Sequence, residues 1–328
     1  MRENNLKILI LFLTLITLSF IPIKNCFCTE IDLYESREIQ YKSIKFEDYY
    51  SNLSPIDAIK LIIQQENDLK QYLSGRHSIE ENTGLFRLYY KNLQALVKSI
   101  NNMNLVLESW GYQSDNTVHK LLETLKYNGI YCQTFQWEDS ENYCYPKYLT
   151  IINPKTNTIE IIYEGEGYYS FHINDSYIAN SYAMYLNNSW RDYMNIKKCI
   201  YDDLNHLNFF NDGCINPDGL TVAKWTVKLE QFIKKYPNFE LIDEINNYRC
   251  YYGTTIMYRK YFLEYNNNKS YLSKDLRLGS KYYIEHGDKN TKLYRKIKKD
   301  YELWLKNNFE YDKIENNYVN SSPDDFCE

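Results

Sequence analysis

The chain lacks the short motifs that identify many enzymes from sequence alone. It has no GxSxG nucleophile elbow, no HExxH zinc-protease motif and no GxxxxGK[ST] phosphate-binding loop. It also has no CxxC pair and no cluster of Cys and His, which argues against a structural zinc site. We therefore expect no metal and no cofactor, and the sequence favours a binding protein over an enzyme.

An excess of basic residues is absent as well. The chain carries 38 Lys and Arg against 43 Asp and Glu, a net charge of −5 at pH 7. Proteins that bind nucleic acid or anionic membrane surfaces do so largely through clusters of Lys and Arg. The composition thus argues against both partners. A hydrophobic content of 44% and an aromatic content of 16% are enough for a sizeable core.

Long apolar runs are missing except at the N-terminus, where residues 8–23 follow Arg2 and Lys7. A basic start, an apolar stretch and small residues downstream are the parts of a Sec-type signal peptide. Cys26 and Cys28 occupy the −3 and −1 positions of a cleavage site after residue 28. We expect export by the Sec route to the periplasm or the medium. Cleavage takes the net charge from −5 to −7, because residues 1–28 hold three bases and one acid.

The segment could also be a retained membrane anchor or a lipid-attachment signal. A retained membrane anchor is disfavoured because the apolar run is shorter than the roughly 20 residues that a spanning helix needs. No second apolar run follows it, so no membrane association is expected after cleavage. A lipid attachment at Cys26 is disfavoured because Ile-Lys-Asn precedes that cysteine.

An even number of cysteines follows the cleavage site. These six are Cys132, Cys144, Cys199, Cys214, Cys250 and Cys327. In an exported chain an even count indicates disulfides, although the sequence leaves the pairing open. Closeness along the chain favours Cys132–Cys144, Cys199–Cys214 and Cys250–Cys327.

Hydrophobic periodicity divides the chain into four further parts after residue 28. Residues 29–129 begin with a polar lead-in and continue as three amphipathic helices, predicted at about 54–73, 84–110 and 115–127 and expected to form a bundle. Ser54, Pro55 and Asp57 mark the first helix start through a cap, a first-turn proline and a capping box. The parts that follow are a β region at 130–174, a helical region at 175–310 and a polar tail at 311–328.

The β region shows a period of two. Strands are predicted at 148–152, 158–163 and 168–173, with a hairpin turn at 153–157. They predict a small central antiparallel meander.

The helical region that follows contains six periodic segments. They are 176–186, 189–204, 220–236, 240–252, 273–286 and 290–308. Successive helix pairs favour a solenoid-like array, although no fixed repeat period is visible. The expected fold class is therefore α+β and predominantly helical.

Two segments resemble uncharacterised exported bacterial proteins that have a helical C-terminal half. The first is the run Trp225…Leu229-Glu-Gln-Phe-Ile-Lys-Lys-Tyr-Pro237, and the second is Tyr163-Glu-Gly-Glu-Gly-Tyr-Tyr169. The resemblance implies a bacterial source and brings no activity with it.

The sharpest chemical feature is the segment 164–172. In a strand, alternate side chains share a face, so Glu164, Glu166 and His172 would lie together with Tyr168 and Ser170. Two like charges on one face raise each other's pKa, as a general acid requires. The three residues are the candidate catalytic site of an exported hydrolase, and the same three could hold a divalent metal.

We favour a plainer interpretation, in which segment 164–172 is the solvated face of an antiparallel sheet. Polar alternation is typical of the solvated face of an antiparallel sheet. Adjacent carboxylates on one strand also sit side by side, whereas a glycosidase places its two carboxylates on either side of a bond.

The 35 tyrosines set the expected function. We expect an exported binding or scaffold protein that uses a helical surface rich in Tyr and Trp for a protein or glycan ligand. An AT-rich genome would also explain the tyrosine excess. The alternatives are the hydrolase above and a secreted effector directed at a host. The sequence does not indicate an oligomeric state.

Overall fold

Helices make up most of the described chain, and one four-stranded antiparallel sheet lies among them. This confirms the predicted α+β, predominantly helical class. The described residues belong to the unit Phe46–Glu328 of a computed structural model. They are 53–102, 114–140, 143–165, 168–207, 210–211, 214–215, 217–256, 263–266 and 269–310.

Several predicted features lie outside those ranges. They are the signal segment 1–28, most of the lead-in, Glu166, the tail 311–328 with Cys327, and the side chains of Cys144 and Cys214. The expectations attached to them stay predictions.

Helix α1 (Pro55–Leu73) starts where its capping residues predict. The backbone N–H of Asp57 donates to Ser54 Oγ at 3.2 Å, and Ser54 Oγ donates to the Asp57 carboxylate at 2.6 Å. Helix α2 (Ile79–Asn102) begins five residues before the predicted start at residue 84. Its capping box joins the backbone N–H of Ser78 to Glu81 Oε2 at 2.9 Å.

Helix α3 (Ser114–Tyr127) packs differently from the expected bundle. Its principal contacts among the described elements are with strands β1 and β2. Leu121 and Leu125 are its buried residues, and Gly129 ends the segment with a φ of 77°. The third amphipathic helix thus buries its apolar side on the sheet, while α1 and α2 pack on each other.

The sheet is an antiparallel meander with strand order β1-β2-β3-β4. The strands are β1 (Tyr131–Ser140), β2 (Tyr143–Asn153), β3 (Lys155–Gly165) and β4 (Tyr168–Ile173). One face is apolar, and its buried side chains are Leu149, Ile159, Ile161, Tyr169 and Phe171. Helix α1 contacts β3 and helix α2 contacts β4. The predicted meander is confirmed, with one strand, β1, added at its start.

Asn101 near the end of α2 fixes the position of β4. Its side-chain amide donates to the Phe171 carbonyl at 2.9 Å, and its carbonyl accepts from the Phe171 N–H at 2.8 Å. Because β4 is the last strand of the sheet, these bonds satisfy backbone groups that no neighbouring strand reaches.

The rest of the described chain is helical, apart from two short hairpins. The helices are α4 (Asp175–Tyr182), a 3₁₀ turn (Ala183–Tyr185), α5 (Asn188–Leu204), α6 (Gly219–Lys235), α7 (Ile242–Thr255), α8 (Lys274–His286) and α9 (Lys292–Lys306). The hairpins are β5 (Phe210–Asn211) with β6 (Cys214–Ile215), and β7 (Leu263–Asn266) with β8 (Lys269–Leu272). Consecutive helices pack in pairs, and α6 also packs closely on α8. All six predicted segments are helical, with ends shifted by up to four residues.

An aromatic cluster joins α2 to the C-terminal helices. Phe86 of α2 lies 5.7 Å from Trp190 of α5, which lies 5.3 Å from Phe239 (centroid distances). Trp225 and Trp304 are also buried. The described tryptophans are therefore core residues and do not form the exposed aromatic surface that the composition suggested.

Two of the expected cysteine pairs are not formed. Cys132 and Cys199 carry free thiols, whereas Cys250 is disulfide-bonded. The strand register gives the reason for the first. Cys132 pairs with Ile151, whereas Cys144 pairs with Asp139, seven residues further along β1. At roughly 3.4 Å per residue this separates the two cysteines by about 24 Å, far beyond the Cα separation that a disulfide spans.

The environment of Cys132 makes it a packing residue. It contacts the core, and burial raises the pKa of its thiol to about 12. A thiol protonated over the physiological pH range is a poor nucleophile.

Candidate functional site

A cleft of about 290 Å³ opens between the second face of the sheet and helices α5, α6 and α7. Its volume is near the lower end of the range for small-molecule pockets, about 300 to 1,000 Å³. Its ionisable lining includes His172, Asp175, Lys197 and His206, and the tyrosines Tyr193, Tyr201, Tyr248 and Tyr252 also line it. The cleft is the candidate functional site.

The structure brings two of the three predicted catalytic residues together beside this cleft. Glu164 Oε1 lies 2.7 Å from His172 Nε2, and Ser170 Oγ lies 2.7 Å from the same ring nitrogen. Ser170 also donates to Glu164. The side chains of Glu164 and His172 are each 33% exposed. Glu164 on β3 and Ser170 and His172 on β4 thus lie together, but they do so across two paired strands and not along a single strand as expected. Glu166 lies outside the described residues.

The geometry of this group differs from a serine-hydrolase triad. In a triad the acid binds one imidazole nitrogen and the serine binds the other, so that the ring can relay a proton between them. Here Glu164 and Ser170 share Nε2. The three side chains form a compact hydrogen-bonded group without that relay.

The second face of the sheet is also less solvated than the plainer interpretation expected. Glu160 is 1% exposed and Ile162 is 3% exposed. The end of α5 covers this part of the face, because Tyr201 donates to the Glu160 carboxylate. Glu164, Ser170 and His172 keep partial exposure on this face, as do Tyr148 and Thr150 of β2.

Glu160 forms the most buried ionic group of the site. His206 Nδ1 lies 3.0 Å from Glu160 Oε2, and the His206 ring stacks on Tyr148 with centroids 4.0 Å apart. Burial and the nearby Glu160 charge raise the pKa of Tyr201, so its hydroxyl stays protonated and acts as a donor. The Glu160 carboxylate is thus held by Tyr201 on one side and by His206 on the other.

The chain reaches His206 through unusual backbone geometry. Asn205 and His206, directly after α5, have φ angles of 49° and 60°. Left-handed φ values are uncommon outside glycine, and two in succession turn the chain sharply. This turn brings His206 back towards β3, where its ring meets Glu160.

A second ion pair lines the cleft. Lys197 Nζ lies 3.3 Å from Asp175 Oδ2, and Tyr90 donates to Asp175 Oδ1 at 2.9 Å. The ammonium also lies 5.0 Å from the centroid of the Tyr248 ring. Burial lowers the pKa of Lys197, but the charge of Asp175 raises it more, and the net pKa lies well above the ordinary value. Lys197 is thus a fixed cation and not a nucleophilic amine.

Tyrosine rings complete the wall. Tyr193, Tyr248 and Tyr252 line the cleft beside Lys197. Burial raises the pKa of Tyr252 to about 12, so its hydroxyl is neutral over the physiological pH range. The wall therefore offers neutral rings with hydroxyl groups at their edges.

Each base around the cleft contacts a carboxylate, in the pairs Lys197–Asp175, His206–Glu160 and His172–Glu164. Lys197 and Asp175 form an ion pair, and each histidine ring nitrogen lies within hydrogen-bond distance of its glutamate. Within the described ranges, no three His, Cys, Asp or Glu side chains are arranged to share a metal ion. The site thus presents aromatic rings and ionisable groups that already have partners.

Sequence reasoning missed most of these residues. Glu160 had one visible signal, a carboxylate inside the apolar run Ile159-Glu-Ile-Ile162. His206 was assigned no role, and Asp175 and Lys197 lie on separate helices, so no local pattern connects them.

The chain matches no protein-family model, no curated protein and no solved structure. Among the helices that the structure describes, none is both long enough and apolar enough to span a membrane.

Proposed function

We propose that the protein is a binding protein whose cleft takes a neutral glycan of one or two sugar rings. The observation that carries the proposal is the Lys197–Asp175 ion pair, with the other described ionisable groups of the cleft hydrogen-bonded to partners, together with the tyrosine wall. Sugars present alternating hydroxyl donors and acceptors along with apolar ring faces. Such a ligand is matched by fixed polar groups and by aromatic rings.

The charge pairing favours a neutral ligand over an ionic one. An anionic ligand would have to draw Lys197 away from Asp175, and a cationic ligand would have to draw Asp175 away from Lys197. Breaking a largely buried pair leaves an uncompensated charge and costs about 3 to 5 kcal/mol. A neutral polyol forms hydrogen bonds to the same groups while the pair stays intact.

The geometry favours binding over hydrolysis. A glycosidase needs two carboxylates about 5 to 9.5 Å apart that are free to act as acid and as base or nucleophile. Asp175 is held by Lys197 and Tyr90, and Glu160 is held by Tyr201 and His206. The exported hydrolase centred on Glu164, Glu166 and His172 remains the second candidate, because Glu164 and His172 keep partial exposure.

The expected setting outside the cytoplasm agrees with a glycan ligand. Export by the Sec route remains a prediction of the N-terminal segment, and so does a role directed at a host.

Saturation-transfer NMR on the full chain tests the proposal. The probes are glucose, galactose, N-acetylglucosamine, cellobiose and chitobiose. We expect at least one of them to receive magnetisation from the wild-type protein. Tyr248→Ala removes one ring from the wall and should weaken that binding at least tenfold, which is about 1.4 kcal/mol.

Tyr282→Ala is the matched control. Tyr282 is also a half-buried helical tyrosine, but it lies on α8 and stacks on His286 instead of lining the cleft. It should leave saccharide binding unchanged. The absence of binding by all five probes, or equal loss in both variants, would contradict the proposal. Release of monosaccharide from either disaccharide, abolished by Glu164→Gln, would favour the hydrolase instead.

A further inference from the structure

Helices α5 and α6 carry a cysteine and a lysine in unusually close contact. The distance between Cys199 Sγ and Lys228 Nζ is 2.7 Å. An N–H···O hydrogen bond has a donor–acceptor distance of roughly 2.9 to 3.0 Å, and sulfur is larger than oxygen, so an N–H···S bond is longer still. The observed separation is therefore too short for a hydrogen bond. It matches a nitrogen and a sulfur that are each single-bonded to one shared oxygen.

We propose that Cys199 and Lys228 are a modification site that forms a covalent N–O–S crosslink under oxidising conditions. The lysine first gives one proton to water and becomes the neutral amine. The Sγ–H bond and one Nζ–H bond then break, and S–O and O–N bonds form. Dioxygen is the oxidant: one of its oxygens enters the bridge, and the other leaves as water with the two hydrogens. Sulfur and nitrogen are oxidised, and dioxygen is reduced.

The surroundings of the pair suit this chemistry. Cys199 is only partly buried, and its contact with Lys228 is exposed, so a small oxidant can reach it. Asp203 Oδ2 lies 3.6 Å from the sulfur and is held in place by a 2.7 Å bond from Trp225 Nε1. That carboxylate is positioned to accept the thiol proton. The thiol of Cys199 is free in the structure. An exported chain meets an oxidising environment, in which such a thiol can react.

The crosslink would join two walls of the cleft. Lys197 and Tyr201 on α5 flank Cys199 in sequence, and Leu229 on α6 follows Lys228. A bond between the helices closes a loop from residue 199 to residue 228. Closing such a loop stabilises a fold by restricting the unfolded chain. This inference does not depend on which ligand the cleft binds.

Mass spectrometry of the full chain, purified in air without reductant, tests the inference. The bridge adds one oxygen and removes two hydrogens, so we expect a species heavier by about 14 Da. Trypsin cannot cleave after a modified Lys228, so peptide 225–234 should stay attached to peptide 199–224. A thiol reductant should release the two peptides, which distinguishes the bridge from methylation.

Two variants control the assignment. Lys228→Arg keeps the positive charge but removes the amine, and it should abolish the added mass and the joined peptides. Lys224→Arg, one turn earlier on the exposed side of α6, should leave both unchanged. Reductant should lower the melting temperature of the wild type more than that of Lys228→Arg, because only the wild type loses the bridge. The disulfide of Cys250 is present in both proteins, so its reduction affects both equally.

Other outcomes would overturn the inference. One is an unchanged mass in air and after dilute hydrogen peroxide. Another is a Cys199–Cys214 disulfide in the tryptic digest, and a third is the same added mass in Lys228→Arg.

Discussion

Two buried glutamates, one in each half of the described chain, respond to burial in opposite ways. Glu66 lies on α1 in the helix–sheet half and is 4% exposed, and Glu230 lies on α6 in the helical half and is 5% exposed. The pKa of Glu66 is lowered, whereas the pKa of Glu230 is raised. Because the burial is nearly equal, the partners of each carboxylate must decide the direction.

Glu66 collects donors from three different elements. Lys70 of α1 lies 2.8 Å away, Tyr177 and Tyr182 of α4 donate at 2.6 and 3.2 Å, and Thr158 of β3 donates at 2.7 Å. Burial alone would raise the pKa of Glu66. The hydrogen bonds from Lys70, Tyr177 and Thr158 together lower the pKa by more than burial raises it. One of these partners is a cation in direct contact.

Glu230 accepts fewer hydrogen bonds, and both come from neutral groups. It accepts bonds from the Tyr283 hydroxyl and, at 2.7 Å, from the backbone N–H of Asp288. Burial raises its pKa, and the negative charge of Asp288 adds to that, while Tyr283, the Asp288 N–H and Arg249 only partly offset it. The comparison teaches that a strand of the sheet and two helices can surround a carboxylate with donors, whereas the packed helices around Glu230 provide fewer of them.

The largest expected effect comes from removing the better-satisfied carboxylate. Glu66→Ala leaves Lys70, Tyr177 and Thr158 without their shared acceptor inside the protein. We expect it to lower the free energy of unfolding by about 3 to 5 kcal/mol, the range for breaking a buried charged network. Urea unfolding followed by circular dichroism measures the loss. A loss below about 1 kcal/mol, the scale of one ordinary hydrogen bond, would mean that the network contributes little.

The acid sensitivity of the same residue gives a second measurement. A folded-state pKa below the ordinary 4.5 means that the Glu66 carboxylate stabilises the fold at pH values above 4.5. That contribution falls as the pH drops below 4.5 towards the folded-state pKa. The wild type should therefore lose more stability than Glu66→Gln between pH 5 and pH 3. Parallel pH profiles would contradict the assignment.

A pair of glycine substitutions compares the backbone packing of the two halves. A Cβ at Gly279 of α8 would lie 2.2 Å from the backbone oxygen of Gly219, whereas a Cβ at Gly84 of α2 would meet nothing within 4 Å. We expect Gly279→Ala to destabilise the protein by about 1 to 3 kcal/mol, because α8 must move away from α6. Gly84→Ala should stabilise it by about 1 kcal/mol through helix propensity alone.

Thermal unfolding of the two variants checks the difference in sign. If Gly279→Ala were also stabilising, the close approach of α6 and α8 would be incorrect. If Gly84→Ala were destabilising, residue 84 would not lie inside α2.

Local signals predicted the elements of the fold, and they failed where tertiary packing decides. The capping residues Ser54 and Asp57 fixed the start of α1 because they act within one turn. The glycine at position 84 predicts the start of α2 there, yet the Ser78–Glu81 capping box begins the helix earlier. Gly84 lies inside the helix, where an added Cβ would meet nothing within 4 Å. The position of α3 on the sheet depends on contacts between residues that are distant in sequence. Hydrophobic periodicity predicts which side of a helix is buried but not which element covers it.

The same limit explains the partial prediction of the site. Glu164 and His172 meet as expected, but they lie on β3 and β4, so the pairing of two strands brings them together and not the pleat of one. The Lys197–Asp175 pair joins residues on two helices, and it forms only when α5 packs beside α4. The proposed pairing of Cys132 failed because closeness in sequence ignores the register of a long hairpin.

The smallest expected effect is at Glu230, and it tests the comparison most directly. Its raised pKa means that the ionised carboxylate destabilises the fold at pH 7, so Glu230→Gln removes a penalty along with the acceptor of one of its two hydrogen bonds. We expect a net change in unfolding free energy within about 1 kcal/mol, far less than for Glu66→Ala. As the pH falls through the raised pKa towards 4.5, the wild type takes up a proton and should gain stability relative to Glu230→Gln, which is the reverse of the Glu66 profile. Urea unfolding of both proteins at pH 7 and pH 5 measures this difference. A large loss at pH 7, or a wild type that weakens relative to the variant on acidification, would show that Glu230 is held as firmly as Glu66.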